Sequence, residues 1–255
     1  MRKILSSLLI SGLIAALISP AWSAELEEIL KRGQLIVAVK DNVRPLGFSD
    51  QNGELQGLEI DLARRLAEEL LGDPQAVIFQ PVSNQKRLQM VIDQEVDLAI
   101  ARVSVTPSRN RLVDFSPYYY LDGTGLVTKQ SYLGGVAGLA KGKIAVLRVS
   151  STIAVIRAEF PQAELVGVNS YEEALRLLEN ETVDAFAGDN SILAGWVQDY
   201  PSYRQWPVRL SGEALGVVMP KGLQYASLRD RVNRAIVRWQ KSGWLRERAA
   251  FWGLP

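Results

Sequence analysis

Residues 97–116, DLAIARVSVTPSRNRLVDFS, place polar side chains directly after an apolar stretch. Asp97–Ala101 has the composition and length of a buried strand, which predicts β structure there. The next residues supply two hydroxyl groups, at Ser104 and Thr106, and a guanidinium group at Arg109. A planar guanidinium with hydroxyls beside it can bind a carboxylate through charge-assisted hydrogen bonds. The segment therefore predicts a carboxylate-binding site, the alternative being an ordinary surface arginine on a turn.

Two residue types are missing, and their absence excludes several reaction mechanisms. The 255 residues contain no histidine and no cysteine. Catalysis by a Ser-His-Asp triad or by a Cys-His pair is therefore excluded, and zinc sites lose their usual ligands. We expect no metal and no cofactor. Without cysteine there is no disulfide and no thiol to which a lipid could be attached.

The N-terminus has the composition of a signal peptide. Arg2 and Lys3 form a positive start, residues 4–18 are mainly apolar, and Ala21-Trp22-Ser23 resembles a cleavage site. We expect residues 1–23 to be removed after Ser23, which places the protein in the periplasm without a lipid anchor. The alternative is a retained membrane anchor.

Removal of that segment leaves 232 residues with 27 basic and 28 acidic side chains. This length suffices for one large domain or two smaller ones, each with its own core. The near-neutral charge argues against nucleic acid as the main partner. A monomer is the default expectation.

Strand and helix patterns alternate twice along the chain, which predicts two α/β lobes with parallel sheets. The predicted strands are 35–39, 76–79, 97–101, 144–147, 165–168 and 183–187. The predicted helices are 26–32, 58–71, 86–94, 153–160, 171–178, 192–197, 228–241 and 244–252.

Two extended segments, 118–128 and 213–219, connect the predicted lobes and are candidate hinges. We expect lobe 1 to comprise residues 24–122 and 214–255, and lobe 2 to comprise residues 123–213. Ligands of open α/β sheets bind beyond the carboxyl ends of the strands. The functional residues should therefore line a cleft between the two lobes.

Several short motifs carry a resemblance to a known family. They are GLEIDLA at 57–63, VDLA at 96–99, SVTPSR at 104–109, VDFS at 113–116 and VDAFAGD at 183–189. With them the chain resembles the periplasmic solute-binding proteins of family 3, the amino-acid-binding components of polar amino acid ABC transporters. The resemblance covers nearly all of the chain after residue 23. It implies the type II periplasmic binding protein fold, in which two Rossmann-like lobes are joined by a two-segment hinge.

The resemblance also implies roles for individual residues. Arg109 and Ser104 would bind the α-carboxylate of an amino acid, and Asp189 would accept from its α-ammonium group. Ser151 and Thr152 begin a predicted helix, whose N-terminus favours an anion. The family usually has glycine where Val149 stands. The alternatives are ordinary helix capping by Asp189 and by the serines near 151.

The pocket for the ligand's side chain departs from the family. Asp41 follows the first strand, where the family often has an acidic residue, while Arg44 replaces a usual aromatic residue. Arg102, which follows Ala101, replaces a usual small residue. Arginines in a cleft favour a carboxylate or amide on the ligand, unless both pair with local carboxylates at its rim. Lys40 is expected at the rim or in solvent.

These expectations describe a binding protein rather than an enzyme. It would bind a free L-amino acid in the periplasm, polar or acidic with glutamate or glutamine favoured, and deliver it to the permease of an ABC importer after closure of the lobes. The alternatives are a broad-specificity polar amino-acid binder, a sensory binding protein, and a periplasmic dehydratase on the same fold.

Overall fold

The structure is a computed structural model that describes residues 25–132, 135–148 and 150–255. The predicted signal peptide, 1–23, and Val149 lie outside the described residues. In the described ranges, no helix combines the length and the apolar character needed to cross a membrane.

The first sheet takes its strands from distant parts of the chain. They are β1 (Leu35–Val39), β5 (Val77–Pro81), β6 (Leu98–Ile100), β7 (Asp114–Asp122) and β13 (Glu213–Met219). Their order is β5-β1-β6-β13-β7, with β1 parallel to both of its neighbours and β13 antiparallel to both of its own. All of β1 is buried, because a parallel strand in the middle of such a sheet is covered on both faces.

Helices cover both faces of this sheet, and together they form lobe 1. These helices are α1 (Leu26–Arg32), α2 (Leu58–Leu71), α3 (Gln89–Ile92), α8 (Ala226–Lys241) and α9 (Trp244–Phe251). Alternate residues of β1 point to opposite faces. Val37 therefore packs with α2 and α8 in one core, and Ala38 lies in the other core with Val91 of α3.

The second sheet, with its helices, forms lobe 2. Its strands are β8 (Thr124–Lys129), β9 (Lys143–Leu147), β10 (Glu164–Val168), β11 (Ala185–Asp189) and β12 (Tyr203–Gln205), in the order β10-β9-β11-β8-β12. Its helices are α4 (Gly135–Gly138), α5 (Thr152–Glu159), α6 (Tyr171–Glu179) and α7 (Asn190–Asp199).

Several features differ from the sequence-based prediction. Both sheets are mixed rather than parallel, with antiparallel pairs formed by β7, β8, β12 and β13, and β12 and α4 were not predicted. A small antiparallel sheet of β2 (Asn42–Val43), β3 (Gly47–Ser49) and β4 (Leu55–Gln56) follows β1 and was not predicted, since strands this short show no periodicity. The predicted helix 86–94 is reduced to the four residues of α3, because a segment this short gains little from helix propagation. The predicted strand 183–187 lies two residues later, so that Asp189 is the last residue of β11.

Two extended segments connect the lobes. The outgoing one lies within the predicted segment 118–128, whereas the returning one comes before the predicted segment 213–219, which is β13 of the first sheet. β7 passes into β8 with Gly123 alone between them, and the chain returns through residues 206–212 into β13. A Cβ at position 123 would lie 1.9 Å from the carbonyl oxygen of Ser211, so the two segments touch at a point that accepts only glycine. The α/β class with two lobes and a two-segment hinge is thus confirmed, while the limits of the lobes, at 122/123 and 213/214, stay a prediction.

The lobes also touch away from the hinge, where Arg44 of lobe 1 meets Gly195 of α7. A Cβ at position 195 would lie 2.4 Å from the carbonyl oxygen of Arg44. We expect Gly195→Ala to leave lobe 2 folded, because alanine raises helix propensity by about 1 kcal/mol. The added methyl group should keep the lobes further apart. The measurement is the distance between spin labels on cysteines introduced at the exposed positions Gln51 and Gln162, which the cysteine-free chain permits.

The matched control for that experiment is Gly167→Ala, in β10 of the same lobe. There the added Cβ would first meet the side chain of the exposed Arg148, at 3.1 Å. This side chain can move, so the label distance should equal that of the wild type. Equal distances in the wild type and in Gly195→Ala would contradict the contact between the lobes.

Candidate functional site

The loop after β6 and the end of β11 meet in the cleft between the lobes, at an ion pair. Arg102 of lobe 1 donates through Nη2 to Oδ2 of Asp189 in lobe 2. Its Nε lies 3.4 Å from Oγ of Ser191 and 3.9 Å from Oδ2 of Asp122. Burial disfavours the charge of Arg102, but the carboxylates around it, Asp189 first, outweigh burial and raise its pKa.

Hydrogen bonds from residues of lobe 1 fix the backbone around Arg102. Arg102 has a φ of 51°, a left-handed conformation that is uncommon for a residue other than glycine. Its N–H donates to Oε1 of the buried Glu59 at 2.7 Å, and Arg87 donates to the carbonyl of Ala101 at 2.7 Å. Both sides of this turn are therefore hydrogen-bonded, which directs the side chain of Arg102 towards lobe 2.

Glu59 is a buried carboxyl group beneath this turn. Burial raises its pKa, and hydrogen bonds from the Tyr119 hydroxyl and from the N–H of Arg102 act in the opposite direction. Lys40 lies in the same region and is also buried, with Nζ donating to the carbonyl of Val82 at 2.7 Å. The prediction that Lys40 lies at the rim or in solvent was wrong. Its aliphatic stem packs inside while its one charged end finds a backbone acceptor.

Asp189 occupies the cap position of α7 without acting as a helix cap. Its side chain accepts no hydrogen bond from the helix and is directed to Arg102 instead. Burial raises the pKa of Asp189, Arg102 opposes this, and the charges of Asp122 and Glu213 add to it. The alternative of ordinary capping therefore does not describe this residue.

Asp122 is fully buried at the hinge, and its hydrogen bonds are local. It accepts from the N–H of Gly123 at 2.9 Å, from the N–H of Ser191 at 3.0 Å and from the hydroxyl of Ser191 at 2.5 Å. These donors satisfy the carboxylate without Arg102, which lies at the longer distance of 3.9 Å. Asp122 thus links the end of β7 to the start of α7.

Ser104 and Arg109 lie side by side on lobe 1. The carbonyl oxygen of Ser104 accepts from Nη1 of Arg109 at 2.9 Å, which holds the guanidinium beside the serine. The hydroxyl of Ser104 donates to Oε1 of Glu213, at the start of β13. Ser104 and Leu215 also form an isolated β-bridge, so the serine is anchored to the returning hinge strand. The structure therefore brings Ser104, Arg109 and Glu213 together.

Two other predicted site residues, Arg44 and Asp41, lie apart from the Arg102–Asp189 pair and from Ser104 and Arg109. Arg44 stacks on Phe48, with 3.8 Å from its guanidinium carbon to the ring centroid, and its Nε is 3.7 Å from Asp199 of lobe 2. It is a half-exposed rim residue that spans the lobes. Asp41 is partly exposed after β1. Among the described residues, no hydrogen bond or ion pair joins either side chain to the Arg102–Asp189 pair.

The predicted helix start in lobe 2 has the expected position. Ser151 is the exposed cap residue of α5 and its side chain makes no capping hydrogen bond, whereas Oγ of Ser150 accepts from the N–H of Thr152 at 3.1 Å. Thr152 is buried, and its hydroxyl has no hydrogen-bond partner among the described residues. A buried unpartnered hydroxyl is costly, which fits a group that meets a ligand or water.

Four residues of this site were not predicted to belong to it: Glu59, Asp122, Ser191 and Glu213. A weak signal existed for two of them, because Asp122 and Glu213 are each the one charged residue of a predicted hinge segment. Tyr171, at the start of α6, is a further neighbour, since Arg102 and Asp189 both influence its pKa, which burial raises.

Several known proteins are similar to this chain in sequence, in fold or in both. The model of the bacterial extracellular solute-binding proteins, family 3, matches residues 35–255. A glutamine-binding protein of Geobacillus stearothermophilus is 34% identical over 200 residues, which is 77% of this chain and 76% of that protein. The ABC transporter glutamine-binding protein of Bacillus subtilis is 28% identical over 221 residues, 86% of this chain and 80% of that protein.

Among solved structures, an ancestral cationic amino acid solute-binding protein superposes with a TM-score of 0.75 at 26% identity, covering 89% of this chain and 99% of that one. The family match spans the cleft residues of both lobes as well as the two hinge segments. The chain therefore belongs to the bacterial extracellular solute-binding proteins, family 3.

Proposed function

We propose that this protein binds a free L-amino acid between its lobes and delivers it to the permease of an ABC importer. The observation that carries the proposal is the placement of opposite charges across one cleft. Lobe 1 supplies Arg109 and Ser104, which suit a carboxylate, and lobe 2 supplies Asp189, which suits an ammonium group. An α-amino acid carries both groups, so that it needs both lobes and binding is coupled to closure.

The proposed ligand is a polar or acidic amino acid, glutamine or glutamate first. Two relatives whose names give glutamine as the ligand support this choice. Arg44 borders the cleft, and an amide or carboxylate oxygen on the ligand's side chain would be an acceptor for its guanidinium. Arg102 borders the cleft as well and is paired with Asp189. For the side-chain pocket we further propose Asp41 together with Ala101. For the contact with lobe 2 we propose Thr152 together with Ser151.

We propose that the protein acts by binding alone and is not an enzyme, since the family and the named relatives are transport proteins. We also propose export to the periplasm through residues 1–23, with cleavage after Ser23 and no attached lipid, and action as a monomer. The apolar N-terminal pattern and the absence of cysteine support the first part of this proposal.

Arg109→Ala should reduce amino-acid affinity by about 100-fold or more, because hydrogen bonds to charged groups contribute about 1.5–3 kcal/mol each and the fork makes two. The measurement is titration calorimetry on protein freed of bound ligand by unfolding and refolding. Arg111→Ala is the matched control, since Arg111 lies in the same turn but is exposed. Its affinity should equal that of the wild type. Unchanged affinity in Arg109→Ala would remove this residue from the site.

Titration of the wild type against the twenty amino acids tests the choice of ligand. We expect one-to-one binding of glutamine or glutamate, and a response to lysine and arginine at least about tenfold weaker, since the cleft presents arginines to the side chain. A preference for a basic amino acid would mean that Asp41 dominates the pocket. Absence of binding to all twenty would contradict the proposed function.

A further inference from the structure

We propose that Arg102 and Glu213 act as internal substitutes for the ammonium and carboxylate groups of the ligand, so that the empty cleft closes on itself and the ligand must displace them. The inference rests on the proposed function, because it takes Asp189 and Ser104 as the partners of an amino acid. It adds a residue pair that limits affinity and selects for ligands carrying both charges.

Asp189 is available to a cation, and Arg102 already supplies one. In the part of the chain that the structure describes, Arg102 is the one cationic side chain within 4 Å of this carboxylate. Asp122 differs, because its hydrogen bonds come from Gly123 and Ser191. The guanidinium therefore pairs with the carboxylate that lacks hydrogen-bond donors nearby. An ammonium group would gain the most binding free energy at the same carboxylate.

Ser104 shows the complementary arrangement. Its hydroxyl donates to the carboxylate of Glu213 and so is directed at a negative charge. Glu213 also lies close enough to Arg102 and Asp189 to influence the pKa of both. A positive and a negative side chain of the protein thus occupy neighbouring positions, which is the charge pattern of an amino acid.

The surroundings of Arg102 allow the exchange. Its backbone is fixed by Glu59, so the side chain alone has to move. Asp122 and Ser191 lie beside its Nε, at 3.9 Å and 3.4 Å, and can retain the guanidinium after it leaves Asp189. Displacement by an ammonium group therefore leaves the guanidinium beside a carboxylate, and an unpaired guanidinium in the cleft would be costly.

A closed state without ligand lowers the apparent affinity, because ligand binds only the fraction of protein whose cleft is free. Arg102→Gly removes the guanidinium and suits the left-handed backbone at this position, which glycine adopts readily. We expect this variant to be more open without ligand, and to bind its amino acid about tenfold more tightly, the size of one charge-assisted hydrogen bond.

The test uses the protein without residues 1–23, refolded free of ligand. Two readouts are measured in the wild type, Arg102→Gly and Glu213→Ala: the distance between labels at Gln51 and Gln162, and the affinity for the amino acid that binds the wild type best. Arg102→Gly should show a longer ligand-free distance, because it removes the ion pair between the lobes. Both variants should bind the amino acid more tightly. Arg229→Ala is the control, because it removes an ion pair of 2.6 Å with Asp114 that lies within lobe 1. It should change neither readout.

Weaker binding by Arg102→Gly would overturn the inference and make Arg102 a direct ligand contact. An unchanged ligand-free distance in Arg102→Gly, or unchanged affinity in Glu213→Ala, would overturn it as well. The label distance is measured without any amino acid, so it reports on self-closure even if no amino acid binds. Failure of the proposed function, seen as no binding by any variant, is therefore distinguishable from failure of this inference.

Discussion

The cleft depends on one ion pair, between Arg102 of lobe 1 and Asp189 of lobe 2. Each partner is placed by a different part of the fold. Hydrogen bonds from Arg102 to Glu59 and from Arg87 to the Ala101 carbonyl fix the turn after β6, and the register of β11 brings Asp189 to the end of its strand. The two sheets, the hinge and the helices behind them all determine whether these groups meet.

Charges buried in a cleft are costly unless they are paired, and this cost couples binding to closure. Each lobe presents groups that the other lobe or a ligand must satisfy: the guanidinium of Arg102, the carboxylate of Asp189 and the buried hydroxyl of Thr152. Exchange of an internal pair for an amino acid replaces one set of charge-assisted bonds by another.

Local sequence patterns predicted most of the fold. Continuous apolar runs predicted β1 and β9, and helical periodicity predicted α2 and α8 within two residues at each end, because these signals come from burial that neighbouring residues share. The residue types of segment 104–109 predicted a carboxylate-binding site, which stays a prediction. The small sheet of β2, β3 and β4 was missed, since two- or three-residue strands depend on tertiary contacts rather than on a pattern.

Long-range contacts account for the rest. Arg102 and Asp189 are 87 residues apart, and Ser104 and Glu213 are 109 apart, so no local pattern shows that they meet. The burial of Lys40 was missed for the same reason, because its acceptor, the Val82 carbonyl, is 42 residues away. The family resemblance implies a role for Asp189. It does not predict that an arginine pairs with Asp189, because the family usually has a small residue at the position of Arg102.

A crystal structure of the protein with its tightest-binding amino acid would show which side chains hold the ligand. We expect one amino acid between the lobes, with its carboxylate on Arg109 and Ser104, its ammonium group on Asp189, and Arg102 moved towards Asp122. Electron density for the ligand outside this cleft, or an intact Arg102–Asp189 pair beside a bound amino acid, would contradict this expectation.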